Sequence, residues 1–246
     1  MNSRNQAILQ QLRGGLVVSC QALPEEPLHS SYIMSRMAYA AYLGGAVGIR
    51  ANTVEDIAEI RKTVSLPIIG IIKRVYEDHP ELYITPTMKE VDELIACGVE
   101  VIAMDATHRP RPGGETIETL FPEVRSKYPD QLFMADCSNV EEGMKAAALG
   151  FDLIGTTMAS YTPYTAGCSL PPYGMIKTLV HECGKPVVAE GNISTPEQAA
   201  KMTGIADGAI VGSAIIKLLE QYGKDAPEHI GAYVKSMKDA VREYTI

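Results

Sequence analysis

Residues 66–74 read Leu-Pro-Ile-Ile-Gly-Ile-Ile-Lys-Arg. Four isoleucines around one glycine form an unbroken apolar run, 68–72, that stops on Lys73. A short continuous run rich in β-branched residues reads as a strand covered on both faces. Working outward, the same kind of run recurs at 16–19, 46–49, 101–104, 132–135, 153–155, 187–189 and 209–211, eight in all. Amphipathic stretches of helical length separate them. Thr53 precedes VEDIAEIRKTV with Asp56 three residues on, close to a capping box. Thr87 opens MKEVDELIACG, Asn139 opens VEEGMKAAALG, and Thr195-Pro196 opens EQAAKM, with proline at the first helical position. Strand and helix alternating from end to end predict parallel βαβ units.

A chain of 246 residues with eight such strands fits one (β/α)8 barrel, the TIM barrel, spanning 1–246 as a single domain. The first residues read as a short amphipathic N-terminal helix with Ile8, Leu9 and Leu12 on one side, without the apolar block of a signal peptide. The rival is an open eight-stranded sheet. It would normally carry a glycine-rich nucleotide turn after its first strand, and SCQALPEEP at 19–27 is no such turn. The segment 227–244 reads as a helix with Ile230, Tyr233, Val234, Met237 and Val241 on one face. Packing onto the barrel's own layer is the first expectation for that face, and a homodimer interface is the alternative.

The apolar share is 46%, and no apolar run approaches the roughly 20 residues that span a bilayer. The net charge of −8 gives no basic footprint for nucleic acid, so neither a membrane nor a nucleic acid is expected as partner. Cys20, Cys97, Cys137, Cys168 and Cys183 are odd in number and contain no Cys-x-x-Cys pair. Free thiols in a reducing cytoplasm are expected, rather than a disulfide framework or a zinc site. The five histidines have no metal-ligand spacing, and no metal is expected.

A polar group follows nearly every apolar run at the same end: Gln21, Arg50, Lys73, Asp105, Asp136, Thr156 and Thr157, Glu190, and Gly212. In a barrel those positions ring one mouth, where barrel active sites lie. Singly, each reads as a residue marking a strand's end; together they read as a polar pocket over an apolar barrel. Lys73 follows five apolar residues and has arginines near it. Burial and neighbouring cations both favour the neutral amine, which can act as a base or as a nucleophile toward carbonyls. An ion pair with Glu190 or an aspartate is the bland alternative. Gly191 and Asn192 after the seventh run, with Gly212 and Ser213 after the eighth, free backbone N–H groups for a phosphate at the start of a helix. Two loops are longer than the rest, 76–86 and 158–172. Tyr161, Pro163 and Tyr164 in the second either fold over a substrate or pack on the rim. The Arg109-Pro-Arg111-Pro run reads more readily as a solvated turn than as an anion site.

Seven blocks then carry a family resemblance: LVVSCQALPEEPLHSSYIMSRMA (16–38), AVGIRA (46–51), LPIIGIIKR (66–74), YITPTMKEVDELIACG (83–98), IAMDATHRPRP (102–112), GFDLIGTTMASYTPYT (150–165) and PVVAEGNISTPEQA (186–199). In this order they closely resemble the bacterial N-acetylmannosamine-6-phosphate 2-epimerases, over roughly 14–215. The resemblance implies a cofactor-independent barrel enzyme that interconverts N-acetylmannosamine 6-phosphate and N-acetylglucosamine 6-phosphate in sialic acid breakdown, inverting C2 by proton removal and return. It places the family's catalytic lysine at Lys73 and its essential glutamate at Glu190. Substrate contacts fall on Gln21, Arg50 and Asp136, and Thr157 joins them as a strand-end group. Asn192, Ser213 and Lys217 depart from the family's usual arginine, glycine and arginine in the phosphate segment. Lysine there keeps charge but loses the bidentate fork. The rivals are a Schiff-base aldolase on Lys73, a phosphosugar-binding regulatory barrel, and another phosphate-binding isomerase or synthase.

Overall fold

The computed structural model describes residues 2–26, 28–77 and 79–244. Eight parallel strands close into a barrel: β1 (Gly15–Cys20), β2 (Gly48–Asn52), β3 (Ile68–Ile71), β6 (Val101–Asp105), β7 (Leu132–Asp136), β8 (Leu153–Gly155), β9 (Val187–Ala189) and β10 (Gly208–Val211). β10 closes the ring on β1. Each of the eight apolar runs is one of these strands. β2, β6 and β7 run one to three residues further than the apolar runs, to take in Arg50 to Asn52, Asp105 and Asp136.

The expected helix starts are present. Thr53 caps α3 (Val54–Arg61), Asn139 caps α6 (Val140–Leu149), and Thr87 and Thr195 form capping boxes on α4 (Met88–Ala96) and α8 (Pro196–Thr203). Each cap satisfies an N–H that the first turn would leave unpaired, worth about 1 kcal/mol. α2 (Ser31–Gly44), α5 (Ile117–Lys127), α7 (Tyr173–Glu182) and α9 (Ser213–Tyr222) complete the outer layer with α10 (Ala226–Tyr244). α10 lies against α2 and α8 of its own barrel, burying Ile230, Val234, Met237 and Val241.

Alternation along the strands divides the core in two. Val18, Ile49, Ile68, Ile102, Phe133, Ile154, Val187 and Ala209 face the helices. Val17, Ile69, Ile71, Val101, Ala103, Leu132, Met134, Leu153, Val188 and Ile210 fill the interior, and Ile8 and Leu12 of the N-terminal helix α1 (Ser3–Leu12) join this inner cluster. α1 therefore seals the end of the barrel where the strands begin. The close approach requires Gly48, where a Cβ would lie 2.7 Å from Leu12 Cδ2.

The segment 76–86 is not an open loop. β4 (Lys73–Tyr76) and β5 (His79–Ile84) pair antiparallel as a hairpin rising from the end of β3. Its base is fixed on both sides. Thr85 N–H donates to the Ile72 carbonyl at 2.8 Å, and Lys73 N–H donates to Asn52 Oδ1 at 2.8 Å. On its flank, buried Glu90 accepts from Arg74 and from the Tyr76 hydroxyl, tying β4 to the start of α4.

Candidate active site

The inward series of the eight strands (17, 19, 21; 48, 50; 69, 71, 73; 101, 103, 105; 134, 136; 153, 155, 157; 188, 190; 210, 212) end on a polar residue at the C-terminal side in every case but the last, which ends on Gly212. There the side chains meet in a cavity of about 800 Å³, within the range usual for small-molecule sites. Its wall includes Gln21, Arg50, Lys73, Thr157, Glu190, Gly191, Asn192, Gly212 and Ser213. Two expected residues are not on it. Asp136 is fully buried behind Arg50. Lys217 projects from the exposed side of α9, where Ile216 reaches the cavity instead.

At the centre, Arg50 and Asp136 form a buried two-pronged pair, Nη1 to Oδ1 at 3.2 Å and Nη2 to Oδ2 at 2.7 Å, with side chains 1% and 0% exposed. Arg50 Nε is buried without a hydrogen-bond partner. Lys73 faces this group without an ion-pair partner among the described residues. Burial first, and Arg50 second, hold its proton affinity below the usual lysine value, against the pull of Glu190, Glu26 and Asp136. Glu190 lies deep among protein atoms while its side chain opens on the cavity. Burial drives its carboxyl above the usual glutamate value, Asp136 adds to that, and Arg50 and Lys73 work in the opposite direction. The bland alternative of a tight Lys73 ion pair is therefore not what the geometry contains. Opposed shifts in two facing groups are the pattern of acid–base sites.

The two threonines that follow β8 hold Glu190. The Thr156 hydroxyl donates to the Glu190 carbonyl at 2.7 Å and receives its N–H at 3.0 Å. Thr157 Oγ1 lies 2.8 Å from Glu190 Oε2 and 2.7 Å from Asp136 Oδ1. Gln21 is fixed through Nε2 on Ser19 Oγ at 2.5 Å, leaving its buried Oε1 without a donor.

Another part of the cavity wall is formed by the 191–192 turn and the start of α9. Gly191 and Asn192 both have positive φ, 125° and 54°. At Gly191 a side chain would also meet Pro172 Cδ at 3.1 Å, so glycine is required there twice over. α9 begins at Gly212 with no side-chain cap, unlike α3, α4, α6 and α8. Ile215 N–H turns back to the Gly212 carbonyl at 2.8 Å, and the N–H groups of Ser213 and Ala214 precede any intrahelical partner.

Sequence reasoning missed the other wall. Arg109 and Arg111 are not in a solvated turn: they are 9% and 1% exposed. Arg109 lines the cavity, pairs with buried Asp105 and with Glu81 Oε2 at 3.0 Å, and stacks 4.3 Å over the Tyr83 ring. The signal was Asp105 ending an apolar run four residues before Arg109. The tyrosine loop divides its labour. Tyr161 and Pro163 line the cavity mouth, while the Tyr164 hydroxyl donates to Glu142 at 2.5 Å on the rim.

Among the described residues no helix is long and apolar enough to cross a membrane, and all five cysteines are free thiols. Tryptophan synthase alpha chain from Legionella pneumophila has the same fold at 16% identity, with a TM-score of 0.66 over 99% of this chain and 98% of that one. The solved N-acetylmannosamine-6-phosphate 2-epimerase from Clostridium perfringens is 50% identical, with a TM-score of 0.79 over 84% of this chain and 90% of that one. A protein of Enterobacter sp. (strain 638) named "Putative N-acetylmannosamine-6-phosphate 2-epimerase" is 52% identical over 213 residues, 85% of this chain and 90% of its own. The family model described as "Putative N-acetylmannosamine-6-phosphate epimerase" matches residues 34–226. The shared fold, the half-identical sequence and the match over most of the barrel place this chain in the N-acetylmannosamine-6-phosphate epimerase family.

Proposed function

We propose that the protein interconverts N-acetylmannosamine 6-phosphate and N-acetylglucosamine 6-phosphate, with Lys73 as the base that removes the C2 proton and no cofactor. C2 of the open-chain sugar lies next to the C1 aldehyde, which makes its proton removable. Neutral Lys73 takes that proton, the C–H electron pair moves toward the carbonyl, and an enolate results. Return of a proton to the opposite face inverts the centre. The observation that carries this reading is a desolvated, unpaired amine and a carboxyl of raised proton affinity lining one cavity, together with the positive-φ 191–192 turn and the uncapped start of α9.

The other residues take their parts from position. Gly191, Asn192, Gly212 and Ser213 offer N–H groups and the α9 dipole to the 6-phosphate. Exposed Lys217 adds only long-range attraction. Arg50, with its free Nε–H, steadies negative charge developing on the substrate oxygen, and Asp136 acts through it. Gln21 Oε1 awaits a donor such as a substrate hydroxyl or amide N–H.

The test is turnover of N-acetylmannosamine 6-phosphate by the purified protein in deuterated water, followed by proton NMR. The expected result is N-acetylglucosamine 6-phosphate with deuterium at C2. No product, or product that keeps its C2 hydrogen throughout, refutes the reading. Borohydride added during turnover separates it from a Schiff-base aldolase, since a proton-abstracting lysine stays unmodified.

A further inference from the structure

One hydroxyl stands between two carboxyls. Thr157 Oγ1 is 2.7 Å from Asp136 Oδ1 and 2.8 Å from Glu190 Oε2. A threonine hydroxyl has a single proton to donate and otherwise only accepts. If both carboxyls were ionised, one of these contacts would set two oxygen lone pairs against each other in a buried place. One carboxyl must therefore supply a proton. Asp136 receives two guanidinium hydrogen bonds from Arg50, which favour its anion. The proton falls to Glu190.

We propose that Glu190 rests as the neutral acid at neutral pH, and that Thr157 is the positioning residue that keeps it so, donating to Asp136 and accepting from Glu190. The direction agrees with the raised proton affinity of Glu190, for which burial is the largest cause. With its single proton given to Asp136, the Thr157 hydroxyl accepts from Glu190 rather than donating to it, and so favours the neutral acid. The charged groups nearest Glu190 are Arg50 from β2, Lys73 from β4 and Asp136 from β7. Glu26, Glu81 and Arg109 stand on the same cavity wall. A glutamate anion in this position would draw a proton onto Lys73. With its proton held on the Thr157 side, Glu190 offers the cavity an uncharged oxygen, and Lys73 stays an amine. Thr157 thus acts on the base at one remove. The catalytic consequence rests on the epimerase reading; the protonation state does not.

The experiment is carbon-13 NMR of the full chain labelled at glutamate Cδ, titrated without substrate, with Glu190 assigned by its loss in Glu190→Gln. The expected signal at pH 7 is a carboxylic acid. In Thr157→Val the Glu190 midpoint moves down, because the neutral acid loses its acceptor, and Thr157→Ser restores it. In parallel, the acidic limb of the kcat/KM profile moves to higher pH in Thr157→Val and returns in Thr157→Ser. A Glu190 carboxylate at pH 7 in the unsubstituted protein overturns the proposal. So does an upward or absent shift in Thr157→Val. If N-acetylmannosamine 6-phosphate is not turned over, the epimerase reading falls while the NMR arms still decide this one.

Discussion

Lys73 is a stability cost at the barrel's mouth. Burial lowers its proton affinity, so between the folded value and the usual lysine value, about 10.4, the unfolded chain binds more protons at this site than the folded one. Stability at this residue is therefore poorest below the folded value, and it recovers as pH rises through that value toward the unfolded one. Lys73→Met removes that cost and fills the same space. Its urea midpoint at pH 7 is expected above that of the unsubstituted protein, with the gap narrowing toward pH 10, while turnover falls by about 100-fold or more. A lower midpoint at pH 7, or a gap that widens with pH, contradicts this account of the site. Lys73 and Glu190 were legible in the sequence because each ends an apolar run at the inward parity. Asp136 was legible as a strand end but not as a residue behind the wall. Its burial is set by Arg50, 86 positions away, and no local pattern carries that distance.

The elements show the same division. Continuous apolar runs fix eight strands, because a strand covered on both faces has no polar alternation to confuse it. The hairpin β4–β5 escaped for the opposite reason. Residues 73–84 read KRVYEDHPELYI, polar on most positions with a proline inside, which resembles a loop. It holds its shape through contacts beyond its own sequence. Arg109, buried, bridges Asp105 at the end of β6 and Glu81 on β5, with Tyr83 beneath it. The two bridges are unequal. Asp105 is 1% exposed and also accepts from Thr107 N–H and hydroxyl at 2.9 and 2.6 Å, whereas the Glu81 side chain is 53% exposed. Removing the buried partner strands a charged guanidinium, which costs about 3–5 kcal/mol; removing the exposed one costs about 0–1 kcal/mol. Chemical denaturation of Asp105→Asn and Glu81→Gln is expected to reproduce that order. Equal losses would mean that the hairpin is anchored elsewhere.

Across the whole molecule the two ends of the barrel carry separate burdens. The mouth gathers buried or half-buried charged groups, an uncapped helix and a positive-φ turn, each a departure from the most stable choice. The opposite end has positive-φ glycines and partly buried charges of its own, but those charges stand in pairs, Arg61 with Glu100 and Arg125 with Asp152, that also brace the starts of β3 and β7. There α1 inserts Ile8 and Leu12 into the inner cluster with Val17, Ile69, Val101 and Leu132, and its Asn5 side chain donates to the Asp130 carbonyl at 2.8 Å. Barrels generally place chemistry at the C-terminal ends of their strands and stability at the other, and this distribution predicts that the two can be altered independently. Leu12→Ala tests it. Leu12 is 4% exposed, and Gly48 lies against its Cδ2 from the barrel wall, so the lost side chain leaves a gap that the strands cannot close without moving. The expected cost is about 2–5 kcal/mol, or a fall in Tm of roughly 2–4 °C per kcal/mol for a chain of this size. Because the cavity is at the other end of the strands, kcat/KM per folded molecule is expected to stay unchanged well below the new Tm. A large loss of kcat/KM in the folded variant would mean that the packed interior transmits strain from one end of the barrel to the other. The strand ends that hold Arg50, Lys73 and Glu190 would then depend on the plug beneath them.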